Sequence, residues 1–262
     1  MTDDYPGPIS TFRELGEFEL RQLARRFAAV EPPSPRTGRR DLDGLLGWLR
    51  PGSLVLVTGP PGSGKTAFLT TLAVYLAQAG WRTVFVSRDL PLAELSTRFT
   101  ALVSSVPLKR LRDGVLAARH WFAVGAAFAD DLPLHVIDGH GNGHDEASLI
   151  GAVAGFSPTV LLDDGLTAPD LYRIPSQWAR AVPHAVRVVS PTSCHEGVMP
   201  GPASVDADVH LALRRTSPTD RGPVTAVEVE VVRNRFGACG SVSLVLRRDL
   251  LRFADVTDRR PD

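Results

Sequence analysis

One stretch of the chain combines the residue types and the spacing needed to bind phosphate. Gly59 to Thr66 fit the pattern G-x-x-x-x-G-K-[ST], in which glycines let the backbone aim its N–H groups at phosphate oxygens. A helix N-terminus behind such a loop adds positive potential. The pattern therefore predicts a nucleotide site at Gly59, Pro60, Pro61, Gly62, Ser63, Gly64, Lys65, Thr66 and Ala67.

Two side chains of this loop have separate predicted roles. Lys65 reaches the β- and γ-phosphates, and the Thr66 hydroxyl is a ligand for Mg²⁺. The chain has 29 basic residues, of which only Lys65 and Lys109 are lysines. A compact ammonium suits a phosphate cradle where a planar guanidinium does not, so the lysine kept at position 65 favours this chemistry. The alternative is a glycine-rich turn that carries a lysine by chance.

The loop needs a strand before it and a helix after it, and the sequence predicts both. Residues 54–57 are a short apolar run typical of a buried strand, and residues 67–79 favour a helix that ends at Gly80. Besides the Thr66 hydroxyl, an acidic residue is required to hold the metal ion. Asp163 follows the apolar strand 159–162, and we predict that it holds Mg²⁺ through water. An ordinary acidic turn after a strand is the alternative.

Composition limits the classes of function. At 262 residues, one α/β domain with an appendage is expected. The 29 basic and 29 acidic residues balance, so no overall field attracts nucleic acid or a membrane. Cys194 and Cys239 have neither CxxC nor zinc spacing, and no signal peptide or long apolar run is evident. We expect a cytoplasmic protein without disulfides or membrane contact.

The chain divides at a proline-rich segment. Residues 1–35 are predicted to form an amphipathic helix and a stiff linker, 36–255 the main domain, and 256–262 a polar tail. The helix cannot bury its apolar stripe alone. It packs either on its own core or on a neighbouring subunit, and we favour the neighbour because the prolines hold it away.

Several runs resemble one family. Residues 37–47 read T-G-x-x-x-L-D-x-x-L-G, residues 51–54 read P-G-S-L, and the phosphate loop follows. This order resembles the RecA-like ATPases, and most closely the motor domain of DnaB-type helicases; RadA-type and KaiC-type ATPases share part of it. The run L-K-R-L-R-D-G at 108–114 again resembles the DnaB type. The resemblance implies a RecA-like α/β fold with a central, mostly parallel sheet, flanking helices and an antiparallel C-terminal hairpin.

The resemblance also implies catalytic roles. DnaB-like chains carry a glutamate at the position of Asp89, where it activates the attacking water. The aspartate side chain is one carbon shorter than glutamate, which withdraws the carboxylate by about 1.5 Å, so we expect slow hydrolysis. The other interpretation of Asp89 is a helix N-cap. The run Arg233-Asn234-Arg235-Phe236-Gly237 resembles the K-x-R-x-G hairpin of the family. Arg233 and Arg235 are then expected to act on the next subunit's nucleotide, the alternative being two exposed arginines near a turn.

Other features of the sequence depart from the family. Pro191 stands where DnaB-like and RecA-like proteins carry a glutamine that senses the γ-phosphate, and residues 191–207 contain no lysine or arginine. A loop without cations is a poor tracker of DNA phosphates. Asp164 replaces a typical tyrosine. The clusters His140/His144 and Cys194/His195/Glu196 are interpreted as loop residues rather than as metal or thiol sites.

Two functions follow from these observations. The first is a Mg-ATP-dependent ATPase that resembles the DnaB motor, forms a hexamer-like homo-oligomeric ring and acts on single-stranded DNA. The second is a nucleotide-binding regulatory or scaffold protein in which ATP fixes assembly and turnover is slow. Asp89, Pro191 and the lack of lysine and arginine in residues 191–207 favour the second function.

Overall fold

The computed structural model describes residues 34–129, 131–139, 145–192, 206–217 and 222–256, together with positions 11, 13, 16, 17, 20, 21 and 24. The chain divides into two compact units, Met1–Ser34 and Pro35–Asp262. In the first unit, the described positions from Arg13 to Ala24 are helical, and Arg13 pairs with Glu17 at 3.1 Å. Most of the predicted amphipathic helix lies outside the described residues, so its packing stays a prediction.

In the second unit, the described residues form a nine-stranded sheet. Its strands are β1 (Leu54–Thr58), β2 (Thr83–Ser87), β3 (Leu134–Asp138), β4 (Val160–Leu166), β5 (Val186–Pro191), β6 (Val209–Arg215), β7 (Val224–Asn234), β8 (Gly240–Arg247) and β9 (Arg252–Asp255). The spatial order is β3-β2-β4-β5-β1-β6-β7-β8-β9. The strands from β3 to β6 in this order are parallel, and β6 to β9 are antiparallel. The predicted parallel sheet with antiparallel C-terminal strands is confirmed.

Helices cover both faces of the sheet. They are α1 (Arg40–Leu46), α2 (Lys65–Gln78), α3 (Leu92–Ser104), α4 (Leu108–Asp113), α5 (Ala118–Ala127), α6 (Glu146–Phe156) and α7 (Ala168–Ala181). One apolar core joins the sheet to α1, α2 and α3. A second core joins the opposite face to α6 and α7, with Trp178 fully buried. Residues of one strand therefore face α2 or α7 in alternation.

Burial explains why the central strands read as continuous apolar runs. All residues of β1, β2 and β5 are buried because helices cover both faces of the sheet there. In β7, buried and accessible residues alternate, as in a strand with one solvated face. In a parallel sheet of this kind, ligands bind beyond the carboxyl ends of the strands. The phosphate loop follows β1 at that edge.

Several segments fall outside this description. The segment 191–207, which contains no lysine or arginine, is described only at 191–192 and 206–207. His140, His144, Cys194, His195 and Glu196 lie outside the described residues. Among the described residues, no helix is long and apolar enough to cross a membrane.

Candidate functional site

The predicted phosphate loop connects β1 to α2. Gly64 lies directly before the helix with φ of 102° and ψ of 19°, a left-handed conformation that favours glycine. A Cβ at this position would also lie 3.2 Å from the Phe253 ring. Lys65 begins the helix, is only 8% exposed, and donates from Nζ to the Gly59 carbonyl at 2.9 Å. The loop therefore curls around its own lysine at the N-terminus of α2.

A cavity of about 510 Å³ opens above this loop. Its size falls within the range of small-molecule sites. Its wall carries five cationic and two acidic side chains, namely Lys65, Arg98, Arg112, Arg215, Arg248, Asp89 and Asp164. The excess of positive charge suits a polyanion. Gly62, Gly64, Thr66 and Ala67 of the predicted nucleotide loop also line it.

The two adjacent acids at the end of β4 face opposite sides of the sheet. Asp163 is fully buried and accepts hydrogen bonds from Arg88 Nε at 2.6 Å and from Trp178 Nε1 at 2.8 Å. It therefore faces α7 and not the loop. Asp164 lines the cavity and is hydrogen-bonded to the Thr66 hydroxyl. The predicted metal-binding acid, Asp163, is therefore turned away from the loop, and the acid that faces the loop is Asp164, because successive side chains of a strand point to opposite faces.

The surroundings of Asp164 fit a metal ion. Burial raises the pKa of Asp164 to about 6; the hydrogen bond from Thr66 and the charge of Lys65 oppose this, and the nearby Asp89 adds to it. Within the part of the chain that the structure describes, its Oδ2 atom is buried without a hydrogen-bond partner, and so is the hydroxyl of Ser63. A buried carboxylate oxygen and hydroxyls are hard oxygen donors of the kind Mg²⁺ prefers.

Asp89 is exposed and lines the same cavity. It does not cap the following helix, since the N-cap of α3 is Pro91 and has no side-chain hydrogen bond. Asp89 packs against Gly165, where a Cβ would lie 2.7 Å from the Asp89 Cβ atom. The absence of a side chain there lets the short Asp89 lie close to β4.

Two arginines of the cavity share one carboxylate, that of Glu94. Glu94 Oε1 pairs with Arg98 Nε at 2.9 Å and also with Arg112 Nη2. Burial alone would raise the pKa of Glu94, but the hydrogen bonds from both arginines outweigh it and lower the pKa. The spacing of Glu94 and Arg98 signals an i,i+4 pair. No sequence signal connects Arg112, which lies on a different helix.

Pro191 also lines the cavity, beside Thr192. Thr192 Oγ1 donates to the carbonyl of Gly165 at 2.9 Å and to that of Leu166 at 3.0 Å. Proline has neither a side-chain donor nor a backbone N–H. The residues at the end of β5 therefore tie β5 to β4, and Pro191 itself offers no donor to a ligand.

The two predicted finger arginines lie at the other end of β1. Arg235 Nη1 pairs with Asp208 Oδ1 at 2.8 Å, and Asp208 Oδ2 accepts the backbone N–H of Leu54 at 2.9 Å. Arg233 Nη2 and Arg235 Nη2 lie 3.7 and 3.5 Å from Asp206. Leu54 starts β1 and the phosphate loop follows Thr58, so the two features are separated by about 13 Å of strand. The structure does not bring these arginines to their own loop.

Comparison with known proteins agrees with this architecture. Residues 35–143 match the family model of the DnaB-like helicase C terminal domain. The replicative DNA helicase DnaB of Leifsonia xyli subsp. xyli (strain CTCB07) is 31% identical over 109 residues, which are 39% of this chain and 23% of that helicase. The replicative DNA helicase DnaB of Synechocystis sp. is 27% identical over 133 residues, 50% of this chain and 14% of that protein. The matched segments thus span less than a quarter of these relatives.

Solved structures extend the likeness to the rest of the domain. One solved ATPase domain superposes with a TM-score of 0.76 at 16% identity, and the match covers 92% of this chain and 98% of that chain. A DnaB-like replicative helicase, studied together with its interactions with primase, superposes with a TM-score of 0.70 at 18% identity. The match covers 98% of this chain and 68% of that chain. Residues 35–143 are therefore similar to the C-terminal domain of DnaB-like helicases, and the chain shares its fold with these two solved structures.

Proposed function

We propose that this protein binds Mg-ATP in the cavity above residues 59–67 and hydrolyses it. The observation that carries the proposal is the convergence of Lys65, Thr66, Asp164 and Asp89 on one cationic cavity at the carboxyl edge of the sheet. Lys65 and the loop backbone hold the phosphates, and the N-terminus of α2 adds positive potential. Relatives named replicative DNA helicases support hydrolysis over binding alone.

In this proposal, Thr66 and Asp164 hold the magnesium ion, with Thr66 as a ligand and Asp164 on its water shell. The ion supplies charge neutralisation along the triphosphate. Asp89 orients the attacking water from the end of β2. Arg233 and Arg235 contribute in trans to a neighbouring subunit's nucleotide, which requires a homo-oligomer of the ring type. Such a finger contributes on the order of 10³ to 10⁵ in rate.

We further propose single-stranded DNA as the polymer on which the ring acts. The alternative, a nucleotide-dependent scaffold with slow turnover, is favoured by one specific observation. Pro191 takes the place of the family's sensing glutamine at the cavity wall and has no group that could report the γ-phosphate to a DNA-binding loop. The effect of DNA on ATP turnover separates the two functions.

The experiment measures ATP binding and turnover for the wild type, Lys65→Ala and Lys109→Ala. Lys109 is the matched control, because it is the other lysine of the chain and lies exposed on α4, paired with Asp113. We expect Lys65→Ala to lose at least tenfold in nucleotide affinity while Lys109→Ala retains it. Equal affinity in both variants contradicts the proposed site.

The same proteins are then assayed with single-stranded DNA over a range of salt concentrations. A motor acting on DNA shows turnover that DNA stimulates and binding that weakens as salt rises. Turnover that DNA leaves unchanged, together with salt-independent binding, rejects the motor and supports the scaffold.

A further inference from the structure

The carboxyl end of β2 carries a buried arginine outside the cavity. Arg88 makes two bidentate contacts: Nε and Nη2 lie 2.6 and 3.0 Å from the oxygens of Asp163, and Nη1 and Nη2 each lie 3.0 Å from the oxygens of Glu146. Its side chain is 13% exposed. Burial would lower the pKa of Arg88, but the bonds to both acids raise it. A single guanidinium thus joins β2, β4 and the first turn of α6.

Stability alone does not explain this pair. Asp163 is fully buried, and taking both charges out of water costs several kcal/mol. Replacing a buried ion pair with apolar side chains of similar volume is often neutral or stabilising. We therefore look for a role that two apolar side chains could not perform. The planar guanidinium with its fixed fork of donors can hold its hydrogen-bond partners in one geometry.

The sequence neighbours of this ion pair are the two acids of the cavity. Arg88 precedes Asp89, and Asp163 precedes Asp164. The Arg88 backbone N–H also donates to the Asp164 carbonyl at 2.8 Å, and β2 and β4 are in register up to the pair Ser87 and Asp164. Arg88 and Asp163 are bonded to each other away from the cavity, whereas the residues that follow them line it.

We propose that Arg88 is a positioning residue that fixes the distance between Asp89 and Asp164. The inference rests on the proposed ATP hydrolysis, in which Asp89 orients water and Asp164 holds the metal ion. The side-chain bonds to Asp163 and the backbone bond to Asp164 prevent the ends of β2 and β4 from sliding past each other. A displacement of about 1 Å at a reacting group costs on the order of a hundredfold in rate.

The decisive variant is Arg88→Leu combined with Asp163→Asn, which removes the pair while the amide oxygen at position 163 still accepts from Trp178 Nε1; the Glu146 carboxylate that loses Arg88 is 21% exposed and can be solvated. We expect the double variant to unfold within a few degrees of the wild-type Tm, with kcat reduced at least tenfold and KM for ATP changed less than threefold. If the pair served only to stabilise the fold, a double variant with a near-wild-type Tm would also have a near-wild-type kcat. Wild-type kcat at wild-type Tm overturns the proposal.

Arg88→Lys tests the positioning role of Arg88 if the double variant does not fold. It keeps the positive charge but lacks the bidentate fork, and we expect at least a fivefold loss of kcat at unchanged KM. Glu146→Gln is the matched control, since it leaves the contact with Asp163 in place, and its kcat should stay within twofold of the wild type. Equal kcat in Arg88→Lys and the wild type overturns the proposal.

A second measurement does not depend on turnover. The Mg²⁺ concentration that gives half-maximal binding of a fluorescent ATP analogue should rise at least fivefold in the double variant, because Asp164 is displaced. If the wild type binds but does not hydrolyse ATP, the proposed hydrolysis fails while this titration still decides the role of Arg88. An unchanged Mg²⁺ requirement then counts against positioning.

Discussion

At the scale of single residues, the site depends on which of two neighbouring acids faces the nucleotide. Asp163 and Asp164 lie next to each other within β4, and a one-residue difference reverses the face of the sheet. Asp163 lies on the side of Trp178 and Arg88, whereas Asp164 lies beside Thr66. The sequence predicts an acid at this point of the chain, but which of the two acids faces the loop depends on the packing of α2 and α7.

The raised pKa of Asp164 predicts a pH-dependent stability. With a pKa of about 6 in place of the ordinary 3.8, the folded, nucleotide-free protein holds this proton more tightly than the unfolded chain. The resulting stabilisation is complete below about pH 4 and is lost as pH rises through about 6. Asp164→Asn should therefore gain on the order of 3 kcal/mol in the free energy of unfolding near pH 7.5 and only about 1 kcal/mol near pH 4.5.

Urea unfolding at both pH values, without nucleotide or Mg²⁺, measures this difference. Asp163→Asn is the control, because it removes a carboxylate that Arg88 and Trp178 both bind. It should destabilise the fold at both pH values. A loss of stability for Asp164→Asn near pH 7.5 would contradict the environment assigned to Asp164.

At the scale of elements, the ends of β2 and β4 act together. Gly165 has φ of 95°, and a Cβ there would lie 2.7 Å from the Asp89 Cβ atom. The carboxylate at position 89 is one carbon shorter than the glutamate that the resemblance implies, and position 165 beside it has no side chain. This contact brings β4 and Asp89 together. It therefore helps to set the position of the Asp89 carboxylate, on which the predicted slow hydrolysis depends.

Gly165→Ala should lower kcat by at least tenfold, because the added carbon displaces Asp89. Since the left-handed φ also strains alanine, a double-mutant cycle is needed. In the Asp89→Ala background, the same Gly165→Ala change should cost less than twofold in kcat. The measurement is steady-state ATP turnover of the four proteins, each checked for Tm. Equal losses in both backgrounds would show that Gly165 does not act through Asp89.

At the scale of the whole molecule, the nucleotide loop and the finger arginines lie at opposite ends of β1. The hairpin that carries Arg235 is anchored firmly: the Arg235 backbone N–H donates to the Asp208 carbonyl at 2.9 Å, and Arg50 lies 4.6 Å from the Phe236 ring centroid. An element held at that end of the molecule does not reach its own nucleotide. Completion of the site by a second copy is the expectation that follows.

Mixing two inactive variants tests this expectation. Arg235→Ala keeps an intact loop and Lys65→Ala keeps an intact finger, so a mixed ring contains some interfaces with both. With random mixing, turnover should recover to on the order of a quarter of the wild-type value. Arg214→Ala serves as the control, because Arg214 is an exposed arginine of β6 paired with Glu228, and it should remain active. Mixtures without recovery contradict action in trans.

The sequence by itself determined the fold class and the phosphate loop. Loop chemistry is local: Gly64, Lys65 and Thr66 need only their neighbours in the chain, and apolar runs such as 54–57 identify buried strands wherever they pack. Tertiary structure decided the rest, because the other groups of the site come from separate strands and helices. The choice of Asp164 over Asp163, the sharing of Glu94 by Arg98 and Arg112, and the contact of Asp89 with Gly165 all depend on which faces and strand ends meet, and no local pattern encodes that.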